Sequence, residues 1–153
     1  MSRKSAGILL FRKQKKLEVL LVHPGGPFWQ KKDLGAWSIP KGEIDEQEDP
    51  LAAAKREFKE ETGMEIDGDF TALDPVIQKG GKTVYAWAVE GDLDPENIAG
   101  NTFSLQWPPG SGKARTYPEV DRAAWFDLPT ARQKINDRQA AFLDALETLL
   151  RKK

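Results

Sequence analysis

Short apolar runs separated by polar turns dominate the chain and predict a β-rich domain. Residues 6–11 and 18–22 are two such runs on either side of a charged segment, which is typical of paired strands in a sheet core. Further strands are predicted over residues 36–39, 70–78, 82–89 and 123–126. Residues 79–81 (Lys-Gly-Gly) predict a hairpin turn, and the alternation over 82–89 predicts a strand covered on both faces.

A different periodicity appears in the middle of the chain and indicates a helix. Asp49 is an N-cap residue, Pro50 suits the first helical position, and Gly63 supplies a left-handed stop. The residues between them are strong helix formers, so a helix is predicted over 50–62. A shorter helix is predicted to open at Leu128.

The C-terminal part of the chain predicts a last amphipathic helix, capped by Asn136 or Asp137. Its apolar residues recur at helical spacing, so one face is expected to pack on the sheet; they are Phe142, Leu143, Leu146, Leu149 and Leu150. Two Gly- and Pro-rich stretches, 23–34 and 107–119, predict loops, the second of them functional. This order of elements predicts an α+β layered sandwich.

Composition narrows the function. The chain has 153 residues, which suits one domain, and its net charge of -1 disfavours general binding to nucleic acid. It has no cysteine, so disulfides, thiolate nucleophiles and Cys-ligated metals are excluded. The apolar stretch near the N-terminus is too short for a signal peptide or a membrane span. We therefore expect a cytoplasmic enzyme or small-molecule binder, with no membrane or nucleic-acid partner.

Three glutamates mark the predicted central helix. Glu57, Glu60 and Glu61 stand at i, i+3 and i+4, so their side chains share one side of the helix. A solvated charged face is the simpler interpretation, but the like-charge pair Glu57 and Glu61 would destabilise it by about 0.2–0.5 kcal/mol. Residues 42–61 hold eight acids and three bases, a local net charge of -5. A divalent cation with oxygen ligands, Mg²⁺ or Mn²⁺, would balance this charge.

At these residues the sequence resembles the Nudix hydrolase family. Residues 42–64, GEIDEQEDPLAAAKREFKEETGM, match the Nudix box, Gly-x5-Glu-x7-Arg-Glu-U-x-Glu-Glu-x-Gly-U, in which U is a bulky aliphatic residue. The matching polar and glycine positions are Gly42, Glu48, Arg56, Glu57, Glu60, Glu61 and Gly63. Phe58 departs from the pattern because it is aromatic, which should affect packing more than chemistry, whereas Met64 fits the last position.

The resemblance implies a fold, a metal site and a reaction. It implies a single Nudix domain over residues 1–153, with a mixed sheet between helices in an α/β/α sandwich. The implied metal ligands are the Gly42 carbonyl and the side chains of Glu57, Glu60 and Glu61, and either Glu60 or Glu61 is the base in some members. Glu48 and Arg56 would form a supporting ion pair. The implied reaction is hydrolysis of a nucleoside diphosphate linked to another group.

Residues outside the box supply further candidates for the site. Glu119 lies before the last strand, as an acidic residue does in many members, and is a second candidate for the base or an extra metal ligand; an exposed strand-edge glutamate is the alternative. Candidate phosphate-binding residues are Lys41, Lys32, Lys113 and Arg115. Tyr85 and Tyr117 are candidates for stacking on a nucleobase. Ordinary surface charges and core packing are the alternatives for these residues.

The segment WSIPKGEID is similar to the W-x-x-P-K-G stretch of the diadenosine-polyphosphate-hydrolase branch. It favours a (di)nucleoside polyphosphate or an NTP as substrate. ADP-ribose, nucleotide sugars and diphosphoinositol polyphosphates are alternatives, as is a nucleotide sensor that has lost catalysis. A monomer and a homodimer are both compatible with the sequence.

Overall fold

A mixed β-sheet forms the centre of the molecule. The computed structural model describes residues 3–78 and 80–152. The strands are β1 (Lys4–Lys13), β2 (Leu17–Pro24), β3 (Lys41–Glu43), β4 (Thr71–Ile77), β5 (Thr83–Glu90), β6 (Thr102–Gln106), β7 (Ala114–Pro118) and β8 (Val120–Asp127). The helices are α1 (Pro50–Thr62), α2 (Leu128–Lys134) and α3 (Ala140–Arg151). Short 3-10 turns cover Pro95–Asn97 and Asp137–Gln139.

Six strands make up the main sheet, in the order β4-β5-β1-β2-β8, with β3 pairing with the first part of β1. Strands β1 and β5 are parallel, and the other pairs are antiparallel. The central position of β1 explains its almost uninterrupted apolar sequence, because both of its faces are covered. Strand β3 brings Gly42 beside Ala6 of β1.

Each face of the sheet carries its own core, and the side chains alternate between them. Ala6, Ile8 and Leu10 of β1 pack beneath α1, where the aromatic Phe58 is fully buried. The opposite face packs against α2 and α3; its helical residues are Ala131, Phe142, Leu143 and Leu146. Helices therefore cover both faces, and the predicted α+β sandwich with a central mixed sheet is confirmed.

The predicted elements differ from the structure in several places. Strands β3 and β6 were not predicted, and α3 begins at Ala140, after a 3-10 turn that Asn136 caps. Residues 107–119 were expected to be a loop, but 114–118 form β7, which pairs with β6 in a separate two-stranded sheet. Residues 36–39 do not form the predicted strand. Trp37 and Ser38 each make one isolated β-bridge, because Pro40 follows directly and has no backbone N–H with which to continue a ladder. The predicted turn at 79–81 includes Lys79, which lies outside the described residues.

No helix within residues 3–78 and 80–152 combines the length and the apolar character needed to cross a membrane.

Candidate active site

Helix α1 is fixed at both ends by local interactions. The Asp49 side chain accepts a hydrogen bond from the Ala52 N–H, and Pro50 occupies the first turn. At the other end Gly63 adopts φ 78°, a left-handed conformation that favours glycine, and its N–H donates to the Lys59 carbonyl. The helix therefore spans the residues predicted from the sequence, and its carboxylates keep their expected spacing.

Arg56 connects the helix to the loop before it. Its guanidinium donates to both carboxylate oxygens of Glu48, at 2.9 and 3.0 Å, and Nη2 also donates to the Glu43 carbonyl at 3.0 Å. This bidentate pairing holds the pKa of the Glu48 carboxylate below its usual range. The ion pair implied by the resemblance is present, and it connects residues 43–48 to the middle of α1.

The same guanidinium also reaches toward the site. Arg56 Nη1 donates to Glu57 Oε1 at 2.8 Å and to Glu60 Oε2 at 3.0 Å. The other oxygen of Glu57 faces Gly42, so closely that a Cβ on Gly42 would overlap the carboxylate. Gly42 is therefore required for space rather than for an unusual φ, and it lets Glu57 lie against the β3 backbone.

Glu61 is the most buried carboxylate of the three. Its Oε1 accepts a hydrogen bond from the Lys41 backbone N–H at 3.3 Å. Burial raises the pKa of Glu61 to about 8; the charges of Glu57 and Glu119 add to the shift, and Lys41 opposes it. Burial also raises the pKa of Glu57, where Glu119 contributes again and Arg56 opposes. Arg56 and Lys41 therefore offset only part of the effect of burial on the pKa values of these two carboxylates.

Burial lowers the pKa of the neighbouring Lys41 ammonium, and the charge of Lys82 lowers it further. Lys82 was not among the residues predicted from the sequence. It stands one residue before β5, across β1 from Lys41, and only the strand order of the sheet brings the two lysines near each other. Positive charge thus gathers beside the acidic cluster.

Glu119 approaches the helix from a distant part of the chain. Its backbone N–H donates to Asn101 O at 2.9 Å, while the Asn101 N–H donates to Glu60 O at 2.8 Å. Glu119 is exposed, yet its charge contributes to the raised pKa values of Glu57 and Glu61. Carboxylates from α1 and from the start of β8 therefore face one region.

The donors in this region fit a hard divalent cation. They are carboxylate and carbonyl oxygens, the ligands preferred by Mg²⁺ and Mn²⁺, and the excess negative charge is the counterpart such an ion needs. The carboxylate of Glu57 lies directly against the Gly42 backbone. Among residues 3–78 and 80–152, no three His, Cys, Asp or Glu side chains are already arranged as a coordination cluster.

The predicted substrate-binding residues fall into three places. Lys41 lies at the carboxylates, and Tyr85, half-buried, is paired with Ala6 on the α1 side of the sheet. Lys32 instead lies over the rings of Phe28 and Trp29, at 3.7 and 5.2 Å from their centroids. Lys113, Arg115 and Tyr117 belong to the β6–β7 hairpin and its turn.

His23 is fully buried and structural in its contacts. Its ring nitrogens lie 2.9 Å from Asp121 Oδ1 and 2.6 Å from Lys32 O, so the ring joins β8 to the loop after β2. Gln139, also buried, accepts from the Ile39 N–H at 3.0 Å and so braces the segment that leads to Lys41. The sequence pattern contained no signal for either contact, because both join residues about 100 positions apart.

Comparison with known proteins finds a matching family model, similar sequences and similar structures. A family model described as the NUDIX domain matches residues 1–146. The asymmetrical bis(5'-nucleosyl)-tetraphosphatase of Rattus norvegicus is 32% identical over 111 residues, covering 63% of this chain and 71% of that protein. The crystal structure of a C. elegans Ap4A hydrolase binary complex superposes with a TM-score of 0.68 at 23% identity, over 97% of this chain and 99% of the other.

Other relatives are matched over only part of their length. The RNA pyrophosphohydrolase of Bartonella henselae is 39% identical over 67 residues, covering 40% of this chain and 36% of that protein. An octanoyltransferase of Myxococcus xanthus is 30% identical over 101 residues, covering 66% of this chain and 25% of the relative. The chain thus spans 25% and 36% of the length of these two relatives.

Proposed function

This chain belongs to the NUDIX domain family, and on that premise we propose that it hydrolyses a diphosphate linkage in a nucleoside diphosphate joined to another group. The substrate class we propose is a (di)nucleoside polyphosphate. The name of one relative, a bis(5'-nucleosyl)-tetraphosphatase, supports this class, and that of another, an RNA pyrophosphohydrolase, supports the hydrolysis of a diphosphate linkage. The stretch from Trp37 to Gly42 supports the same class.

In this proposal the metal ligands are the Gly42 carbonyl and the carboxylates of Glu57, Glu60 and Glu61. A bound Mg²⁺ or Mn²⁺ supplies charge neutralisation for the phosphate oxygens and lowers the pKa of the attacking water. Glu57 is held in place from two sides, by Gly42 and by Arg56. Rigid ligands of this kind keep a site preorganised for the reaction.

The remaining residues of the cluster divide the other tasks. Glu119 is exposed and approaches from outside the helix, so it is the carboxylate best placed to accept a proton from water beside the bound substrate. Glu61, which is half-buried and accepts a hydrogen bond from the Lys41 backbone, is better suited to a fixed ligand role. The ammonium groups of Lys41 and Lys82 provide positive charge for phosphate oxygens that the metal does not reach.

One observation carries the proposal: the Glu57 carboxylate lies against the Gly42 backbone, the Glu61 carboxylate accepts from the Lys41 N–H, and the charge of Glu119, from a distant part of the chain, contributes to the raised pKa of both. On a fully exposed helix, solvent would screen the repulsion between such charges. Their concentration at one point matches the need to hold cations against an anionic substrate.

The test is hydrolysis of a nucleotide panel in Mg²⁺ and in EDTA, with product release as the readout. We expect Mg²⁺-dependent turnover, and we expect Glu57→Gln to lower kcat/KM by orders of magnitude. Glu65→Gln is the matched control, because Glu65 is an exposed glutamate just beyond α1 that pairs with Lys59. Nucleotide binding without turnover in Mg²⁺ or Mn²⁺ would instead support a sensor, and equal rates in both variants would contradict the assigned ligands.

A further inference from the structure

The β6–β7 hairpin stands apart from the main sheet. Its two strands pair only with each other, in a register that places Phe103 opposite Tyr117 and Leu105 opposite Arg115. An isolated two-stranded hairpin is marginal in water. Its position must therefore be supported by contacts at its base.

Both ends of the hairpin are anchored at the candidate active site. The residue before β6, Asn101, donates its N–H to Glu60 O, and the residue after β7, Glu119, donates its N–H to Asn101 O. The Glu119 carbonyl in turn accepts from the Gly25 N–H at 2.9 Å. The hairpin thus begins at the end of the carboxylate helix and ends at the exposed carboxylate.

Gly25 and Gly26 allow the hairpin to pack closely against the loop after β2. A Cβ on Gly25 would collide with the Pro118 backbone carbonyl, and one on Gly26 would lie 2.9 Å from Phe103 Cζ. The Phe103 ring therefore rests on the backbone at Gly26, where a side chain would displace it. This contact sets the orientation of the hairpin relative to the carboxylates.

One face of the hairpin has the chemistry of a nucleotide-binding surface. Alternation along the strands places Phe103, Leu105, Arg115 and Tyr117 on the same face, and the two aromatic rings are 6.0 Å apart, tilted by 37°. Leu105 and Arg115 are exposed, and Tyr117 is half-buried. Residues 102–118 contain two bases and no acid. Aromatic rings beside positive charge suit a nucleobase that carries phosphates.

The hairpin is long enough to reach the second nucleoside of a two-nucleoside substrate. At about 3.3 Å per residue, Arg115 lies roughly 13 Å along the strand from Glu119. A phosphate held at the carboxylates would leave a second nucleoside of the same molecule within reach of this face.

We infer that this hairpin face binds the distal nucleotide of a dinucleoside polyphosphate and so sets the preference for two-nucleoside substrates. The inference rests on the proposed hydrolase function. A small molecule is favoured over an RNA chain, because the basic residues are confined to one short hairpin and the whole chain has a net charge of -1.

The test compares kcat/KM for diadenosine tetraphosphate with kcat/KM for ATP, which lacks the distal nucleoside. The quantity of interest is the ratio of the two constants. We expect Tyr117→Ala to lower this ratio by about 10- to 100-fold, the value of one base stack. Arg115→Gln, an exposed substitution that leaves the hairpin backbone intact, should lower it about fivefold.

Thr116→Ala is the matched control, since Thr116 lies between these two residues but on the opposite, exposed face. Its ratio should equal that of the unmodified protein. Unchanged ratios in both Tyr117→Ala and Arg115→Gln, with ATP still hydrolysed, would overturn the inference while leaving the proposed function intact. Failure to hydrolyse either nucleotide would instead remove the proposed function. Hairpin-dependent preference for a 5'-triphosphorylated RNA over the dinucleotide would overturn the choice of ligand.

Discussion

Gly42→Ala offers a direct test of how the site is assembled. All three atoms of the Glu57 carboxylate lie within 2.5 Å of the position that a Cβ on Gly42 would occupy. Real Cβ atoms essentially never have contacts under 3.0 Å, and the nearest Glu57 oxygen lies 1.9 Å from this position, so the carboxylate has to move away by about 1 Å or more. The Gly42 carbonyl, the other proposed ligand, is unchanged by this substitution.

The expected effect on activity is large, and the effect on stability is small. A displacement of 1 Å at a catalytic group costs about 100-fold in rate, so kcat/KM should fall by about that factor. The atoms that must move are the end of a flexible side chain, and Gly42 has no positive φ, so the melting temperature should change by no more than about 3 °C. Activity in Mg²⁺, calorimetric Mg²⁺ affinity and thermal melting measure the three quantities.

Gly91→Ala is the matched control for this substitution. A Cβ there meets only the ends of the Leu10 and Ile66 side chains, at 3.1 and 3.3 Å, and the residue lies outside the candidate site. It should retain activity and Mg²⁺ affinity. If Gly42→Ala also retained both, the position of Glu57 against β3 would have no role in metal binding, and the reasoning would be refuted.

Three further predictions concern the groups around this site. Arg56→Ala should lower the melting temperature by about 3–8 °C, because it removes the paired hydrogen bonds to Glu48; unchanged melting would rule out the bracing role. The pKa of Glu61 is raised from 4.5 to about 8, so its neutral form favours folding at low pH, and metal-free protein should lose stability between about pH 4.5 and 8. Glu61→Gln should flatten that dependence in calorimetry, and a slope identical to that of the unmodified protein would disprove the assignment. Gln139→Leu leaves the buried Ile39 N–H unpaired and should cost about 1–3 kcal/mol, a fall of about 3–10 °C; a melting curve that overlays the original would contradict this.

Local signals were sufficient wherever one segment determines its own structure. Helix α1 could be bounded from Asp49, Pro50 and Gly63 alone, because capping and helix termination are decided within a few residues. The apolar runs in β1 and β2 likewise identify buried strands. The loop predicted over residues 107–119 was wrong at 114–118. The Pro and Gly residues of the turn obscured the strand β7, which pairs with β6.

The candidate site shows where sequence reasoning ends. Spacing alone shows that Glu57, Glu60 and Glu61 share one side of a helix, and partial burial follows from their position beside Phe58. The i,i+4 spacing of Arg56 and Glu60 favours their contact, but it does not show that Arg56 also donates to Glu57, because that depends on rotamers and on the loop at Glu48. The approach of Glu119 and Lys82 depends on strand order, which is a property of the whole sheet.

The C-terminal end of α1 contributes both to the stability of the helix and to the position of the β6–β7 hairpin. The last carbonyls of a helix lack partners within it, and here the N–H groups of Asn101 and Ala99 satisfy two of them. Gly100 makes this approach possible, because a Cβ there would lie 2.8 Å from Glu60 O. The segment that caps the helix is also the one from which the β6–β7 hairpin starts. A single set of backbone contacts therefore joins the carboxylate helix to the hairpin, so in the proposed complex the distance between the bond to be cleaved and the distal nucleotide would be set by the fold rather than by a flexible linker.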